Sequence, residues 1–171
     1  MRKHLLTLVF VASATLLVTG CTTDGGEKSI KENGAGTVTP TAKNLPAVTG
    51  AAGAAPTIAA PQGSAPTSLE TQDVIVGSGA TAQASSTLTV HYTLMAWSTG
   101  KVIESSWTSG SPATFALSQV IPGWQQGIPG MKAGGRRLLV IPPDLGYGSA
   151  GAGPIGPNET LIFVVDLISV L

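Results

Sequence analysis

The sequence predicts an α+β fold in which a twisted antiparallel β-sheet wraps around one short α-helix. Residues 88–94 place apolar side chains and Tyr92 at every second position, and this alternation is typical of a strand with one buried face. Trp124 and Ile128 are four residues apart, the spacing of one helical face, and Pro129 then ends the segment. Since so short a helix is not stable alone in water, we expect it to pack against the sheet.

Further segments with apolar residues predict the remaining strands. They are separated by turns that contain Gly and Pro, as expected for an antiparallel sheet. We therefore place the folded domain at residues 69–171. The predicted strands contain Val74 and Val76, Phe115 and Leu117, Leu138 and Val140, and the run at 161–171.

The first 20 residues have the features of a secretory signal peptide. Arg2 and Lys3 precede an apolar run at residues 5–18, which is shorter than the ~20 residues that a transmembrane helix needs. Residues 17–21, Leu-Val-Thr-Gly-Cys, resemble the lipobox of bacterial lipoproteins, and Cys21 is the single cysteine. The resemblance implies that Cys21 is lipidated and anchors the protein outside the cytoplasm at the bacterial cell membrane. The competing interpretation is an unmodified Cys21 beside an ordinary cleavage site.

The composition between the leader and the predicted domain is that of a spacer. Residues 22–68 contain no aromatic residue and are rich in Ala, Gly, Thr and Pro. Such a segment buries too little apolar surface to offset the entropy of ordering. We therefore predict a disordered linker over residues 21–68, beginning at the lipidated cysteine.

Several function classes lack the residues that they require. The 171 residues carry nine Lys and Arg against nine Asp and Glu, so no basic footprint for nucleic acid is expected. After cleavage of the leader, His91 is the only histidine, which disfavours a hydrolase triad and a metal site. The glycine-rich residues 146–156 lack the Gly-Lys-Ser/Thr ending of a phosphate loop. No cofactor and no metal are therefore expected.

Four segments, taken in order, point to a known family. They are residues 90–93 (VHYT), 120–124 (VIPGW), 145–148 (LGYG) and 153–163 (GPIGPNETLIF). Together they resemble the FKBP-type peptidyl-prolyl cis-trans isomerases over about residues 70–171. Residues 112–124 and the last segment are most similar to the macrophage infectivity potentiator branch, although the long dimerising helix of that branch is not visible.

The resemblance implies an isomerase of X-Pro bonds whose partners are proline-containing polypeptides, with macrolides of the FK type as expected ligands. Trp124 would form the floor of an apolar pocket. Tyr92 would form a wall and bond to Glu104, while the Tyr147 hydroxyl and the Ile121 amide would donate hydrogen bonds to substrate carbonyls. The other expected substrate-binding residues are Ile103, Phe115, Val120, Ile155 and Phe163.

This sequence departs from many relatives at the pocket. Ile103 stands where a Phe is common, Glu104 where an Asp is common, and Ala113 where a second aromatic is frequent. Fewer aromatic walls should weaken the binding of prolyl and macrolide ligands. The main hypothesis is a membrane-tethered isomerase that assists the folding of extracytoplasmic proteins. The alternatives are a non-catalytic peptide- or protein-binding module with the same fold and, with less support, a host-directed or adhesive surface lipoprotein.

Overall fold

The computed structural model describes residues 44–171. The predicted signal peptide (1–20), the lipidation site Cys21 and the first part of the predicted linker (22–43) lie outside the described residues. Among the residues described, no helix is long and apolar enough to cross a membrane.

The central element is an antiparallel sheet of six strands. They are β3 (Glu70–Ile75), β4 (Thr87–Ala96), β5 (Val102–Ser105), β6 (Ala113–Ala116), β7 (Arg136–Ile141) and β8 (Leu161–Val170). The main path through the sheet has the order β3-β7-β8-β4-β5, and β6 also pairs with β4. The long strands β4 and β8 lie side by side, and the predicted α+β class is confirmed.

Two helices belong to this domain, and only the second was predicted. Helix α1 (Ser106–Ser109) is a single turn directly after β5, and helix α2 (Pro122–Gly127) packs against β7. Leu117, predicted in a strand, instead begins a 3-10 turn at Leu117–Gln119. Val74 lies in β3 as predicted. Val76, which was predicted in the same strand, lies just beyond its end and is 74% exposed.

Helix α2 lies unusually close to β7 because two of its residues have no side chain. A Cβ atom at Gly127 would lie 2.5 Å from Leu139 Cδ2, and one at Gly123 would overlap Ile141. This close approach seats Trp124 and Ile128 against the sheet. The inner face of the sheet and α2 form the main core, with Leu88, Val90, Leu94, Leu139, Phe163 and Val165 among its members.

The outer face of the sheet is also buried, although no sequence pattern predicts this. Side chains alternate along each strand, so residues between those of the main core point outward. They form a second apolar cluster of Met95, Trp97, Leu138, Val140, Ile162 and Val164.

Residues 44–66 cover this outer cluster, and we call them the N-terminal strap. The strap forms a small hairpin of β1 (Val48–Thr49) and β2 (Thr57–Ile58), closed by a bond from Ala59 N–H to the Ala47 carbonyl. Leu45, Val48, Ile58 and Ala65 pack against the outer cluster. This part of the linker is therefore ordered, contrary to the prediction of disorder. A few scattered apolar residues are enough to order it, because they bury their surface against the outer face of the sheet.

A buried arginine joins the strap to the sheet. Arg136 is fully buried and donates from Nε to Asp166 Oδ1 at 2.8 Å. Its remaining nitrogens donate to the carbonyls of Gly50 and Ala54 in the strap hairpin. Burial raises the pKa of Asp166, although the hydrogen bond and charge of Arg136 act in the opposite direction. A buried guanidinium requires such partners, so the strap carbonyls are part of the domain's polar interior.

Candidate active site

A cavity of about 340 Å³ lies between α2 and the strands β4, β5, β6 and β8. Trp124 from α2 is 4% exposed and lies at its floor. The volume falls within the ~300–1,000 Å³ typical of small-ligand pockets. The lining residues are Tyr92, Leu94, Glu104, Phe115, Gln119, Val120, Ile121, Trp124, Tyr147 and Phe163.

Four aromatic rings form the apolar part of the cavity. The Trp124 ring meets Phe163 at a centroid distance of 5.3 Å and an interplanar angle of 86°. It meets Phe115 at 5.9 Å and Tyr92 at 6.1 Å, both nearly perpendicular. Edge-to-face contacts of this kind are favourable and fix the rings in place. The result is a preformed apolar box of aromatic rings around Trp124.

The polar part of the cavity begins with a short hydrogen bond between neighbouring strands. The Tyr92 hydroxyl donates to Glu104 Oε1 at 2.5 Å, and β4 and β5 are paired so that Leu94 lies opposite Glu104. Burial raises the pKa of Tyr92, and the hydrogen bond to Glu104 raises it further. Tyr92 therefore remains a neutral donor, held in one orientation by the carboxylate.

Tyr147 supplies a second hydroxyl to the lining of the cavity. It is 38% exposed and lies just after the 3-10 turn Pro143–Leu145. The adjacent Gly148 N–H donates to the Pro143 carbonyl, and the Asn158 N–H donates to the Gly148 carbonyl, both at 2.9 Å. These bonds fix the backbone around Tyr147, while the phenol itself stays accessible to a ligand.

Val120 and Ile121, directly before α2, also line the cavity. Ile121 is the N-cap residue of α2, and Pro122 follows at the first helical position. The Gln125 side chain donates from Nε2 to the Val120 carbonyl at 2.7 Å. This bond holds residues 120–121 in an extended conformation along the edge of the cavity.

The structure brings most of the predicted site residues together, with two exceptions. Ile103, the extra residue of a bulge opposite Leu94 and Met95, is half-buried and packs against the main core, but it is not among the residues that line the cavity. Ile155 was predicted at the rim, but it is 8% exposed and packs in the core.

Two residues of the cavity were not predicted from the sequence. Leu94 continues the alternation of Val90 and Tyr92 along β4, so the strand period alone could have placed it on the same face. Gln119 lies in the turn before α2 and gives no sequence signal. Within residues 44–171, no cluster of three or more His, Cys, Asp or Glu side chains could hold a metal ion.

Comparison with protein families identifies this architecture. The family model described as FKBP-type peptidyl-prolyl cis-trans isomerase matches residues 79–168, from before β4 to near the end of β8. The chain belongs to this family. The FKBP-type resemblance of the four sequence segments is therefore confirmed.

Curated FKBP-type relatives from bacteria share about half of the aligned residues. The chain is 52% identical to the FK506-binding protein of Streptomyces anulatus over 106 residues, which cover 60% of this chain and 86% of that protein. It is 47% identical to the outer membrane protein MIP of Legionella longbeachae over 103 residues, which cover 60% of this chain but 44% of that protein. At this similarity, the enzyme class is that of an FKBP-type peptidyl-prolyl cis-trans isomerase.

Solved FKBP-type structures share the fold. FkpA from Escherichia coli aligns with a TM-score of 0.57 and 44% identity, covering 60% of this chain and 47% of that one. The peptidyl-prolyl isomerase of Pseudomonas syringae pv. tomato aligns with a TM-score of 0.55 and 33% identity, covering 60% and 74%. The antiparallel sheet with one helix across it is thus the family's architecture.

Proposed function

We propose that this peptidyl-prolyl isomerase acts outside the cytoplasm, tethered to the bacterial cell membrane by a lipid on Cys21, and assists the folding of proteins there. Isomerisation itself follows from family membership. The proposed roles of the residues rest on one observation. A single cavity combines the aromatic box around Trp124 with the polar side chains of Tyr92, Glu104 and Tyr147.

The cavity favours rotation about an X-Pro bond without a nucleophile. Rotation faces a barrier of ~18–20 kcal/mol because amide resonance is lost, and the planar amide is more charge-separated than the twisted one. An apolar site therefore destabilises the planar form relative to the twisted form. The prolyl ring would lie against Trp124, with Phe115 and Phe163 as walls.

The rim would grip the carbonyls on either side of the rotating bond. In the proposed complex, the Ile121 N–H and the Tyr147 hydroxyl donate to substrate carbonyls, and Glu104 orients the Tyr92 ring. Contacts that are stronger in the twisted state lower the barrier. Shortening an event of ~100 s to ~10 ms requires ~5–6 kcal/mol, which desolvation and a few hydrogen bonds could supply.

Nuclear magnetic resonance exchange tests the pocket assignment. The full chain, purified in mild detergent, is mixed with proline-containing tetrapeptides that differ in the residue before proline. We expect acceleration by the wild-type chain and a loss of about tenfold or more in Tyr147→Phe, with unchanged circular dichroism. A well-folded wild type without activity on any peptide would favour the non-catalytic binding module instead.

The proposed location rests on sequence and on one relative. Residues 17–21 resemble a lipobox, and the relative from Legionella longbeachae is named an outer membrane protein. Expression of Cys21→Ser in a bacterium should release the protein from membranes washed with high salt. Retention of that variant in the membrane fraction would contradict the lipid anchor.

Membership of the macrophage infectivity potentiator branch is also a proposal. The chain is 47% identical to the MIP protein and 52% identical to the Streptomyces protein.

A further inference from the structure

The cavity around Trp124, the proposed prolyl pocket, has one charged side chain in its lining, and that side chain is acidic. It belongs to Glu104, on the edge strand β5. The other lining residues are apolar, aromatic or neutral polar, and no Lys or Arg is among them. Tyr92 also stays neutral, because its pKa is raised by burial and by the hydrogen bond to Glu104. The charge of the pocket is therefore that of one carboxylate.

Only one oxygen of this carboxylate has a partner in the described part of the chain. Glu104 Oε1 accepts from the Tyr92 hydroxyl at 2.5 Å, and nothing in residues 44–171 donates to Oε2. No Lys or Arg of the same residues forms an ion pair with Glu104. Glu104 is an exposed residue, so a ligand can approach its charge directly. The acid thus has room for one further donor.

The chain segments that supply the lining add to the negative charge. Residues 113–128 carry no charged side chain, and residues 143–163 carry two acids and no Lys or Arg. In the third segment, residues 92–104, Lys101 is the only basic residue, and it does not line the pocket. Charges of one sign around a cleft attract ligands of the opposite sign. The pocket is therefore suited to a polypeptide that carries a cation near its proline.

The position of Glu104 determines which part of a bound polypeptide meets this charge. Glu104 is bonded to Tyr92, whose ring centroid lies 6.1 Å from that of Trp124. In the proposed complex, the prolyl ring lies against Trp124. Consecutive Cα atoms are ~3.8 Å apart, so the side chain of the residue next to the proline is within reach of Glu104. A Lys or Arg there would lay its methylene stem along the aromatic rings and bring its charged head to the carboxylate.

We propose that Glu104 gives this isomerase a preference for X-Pro bonds with a Lys or Arg directly beside the proline, and disfavours those with an Asp or Glu there. The inference rests on the proposed function of the pocket and adds a substrate class to it. An ion pair with an exposed acid is weak and is screened by salt, so the preference amounts to a few-fold. Because the pair forms with both the planar and the twisted amide, it lowers KM and leaves kcat nearly unchanged.

The test compares peptides that differ only in the charge beside the proline. The full chain, in a non-ionic detergent, is assayed with acetyl-Ala-Xaa-Pro-Ala-amide and with acetyl-Ala-Ala-Pro-Xaa-amide, where Xaa is Lys, norleucine or Glu. Norleucine has the stem of Lys without the ammonium group, so it is the matched neutral residue. In at least one series, kcat/KM for Lys should be about threefold above norleucine and about tenfold above Glu. The difference should lie in KM and shrink between about 20 mM and about 500 mM sodium chloride.

Two variants of the full chain assign the preference to Glu104. Glu104→Gln keeps an acceptor for the Tyr92 hydroxyl and removes the charge, so the ratio of kcat/KM for Lys to that for norleucine should fall to about one. Asp73→Asn removes the same charge at the opposite edge of the sheet, where Asp73 pairs with Arg137. This variant should keep the wild-type ratio. Circular dichroism checks that both variants are folded.

The inference is overturned by equal kcat/KM for Lys and norleucine in both series, by a wild-type ratio that persists in Glu104→Gln, or by the same loss in Asp73→Asn. Failure of the proposed function is a different result, in which the wild type accelerates none of the peptides. The nitrogen-15 shift of the Trp124 indole then gives the Kd of each peptide, and equal Kd values for Lys, norleucine and Glu would overturn the charge preference in that case as well.

Discussion

The Tyr92 hydroxyl and the Glu104 carboxylate form a 2.5 Å hydrogen bond in the lining of the cavity around Trp124, the proposed prolyl pocket. One partner lies on the central strand β4 and the other on the edge strand β5, so the bond ties the edge of the sheet to the aromatic box. Burial and this bond raise the pKa of Tyr92. The bond therefore links the geometry of the pocket to the protonation of one tyrosine.

We expect Tyr92 to ionise at a higher pH than an ordinary tyrosine, whose pKa is ~10. Since the pKa is raised in the folded state, the stabilisation is fully present below pH ~10 and is lost as the pH rises through the folded value. Absorbance titration of phenolate formation checks this. The chain has two tyrosines, so Tyr92→Phe should abolish the late step and Tyr147→Phe should leave it. A late step that persists in Tyr92→Phe would contradict the assignment.

Trp124 is expected to contribute to both stability and activity. Replacing this 4% exposed residue with Ala should cost about 3–5 kcal/mol of unfolding free energy, and Trp124→Leu should lower kcat/KM by about tenfold or more because the floor is lost. Denaturant unfolding and the isomerase assay measure the two effects.

Trp97→Phe is the matched control for this substitution. Trp97 is also buried, but it packs in the outer cluster, away from the prolyl pocket. Trp97→Phe should lower the free energy of unfolding and leave kcat/KM at the wild-type value. Equal losses of activity in Trp97→Phe and Trp124→Leu would indicate general destabilisation rather than a role for the floor.

Local patterns predicted the inner half of this fold and missed the outer half. Alternation along β4 places Tyr92 and Leu94 on one face, and the spacing of Trp124 and Ile128 places α2, because both features are periodic in sequence. The strap has no periodic pattern of apolar residues. It packs on the outer face of the sheet, where its partners include Ile162 and Val164, and these lie more than about 90 residues further along the chain.

The same distinction applies within the proposed prolyl pocket. Most of the residues that line this cavity were predicted through motifs that the family shares. Ile103 and Ile155 were predicted beside them, and both pack against the main core without lining the cavity. Their exact positions depend on tertiary packing, which no local pattern indicates.

We expect the strap to be part of the folding unit. A chain that starts at residue 69 exposes the outer cluster and deprives Arg136 of two carbonyl partners. Compared with a chain that starts at residue 44, it should lose about 3–5 kcal/mol of unfolding free energy. Thermal and urea unfolding of the two chains measure the difference. Within the full chain, Ile58→Ala should reproduce part of the loss, and equal stability of the two truncated chains would refute the role of the strap.

Glu159 is expected to position the loop that carries Tyr147. Its carboxylate accepts from the Ser98 N–H at 3.0 Å and from the Ser98 hydroxyl at 2.6 Å, which fixes the loop to the turn after β4. Glu159→Ala should lower kcat/KM several-fold, about 3–10, with less than ~1 kcal/mol lost in global stability, because neither residue lies in the core. Hydrogen exchange should accelerate at residues 147–158. Ser98→Ala removes the hydroxyl partner of the same carboxylate. If the hydrogen bonds between Ser98 and Glu159 position the loop, the variant with both substitutions should lose little more activity than Glu159→Ala alone. Additive losses would mean that the two residues act separately.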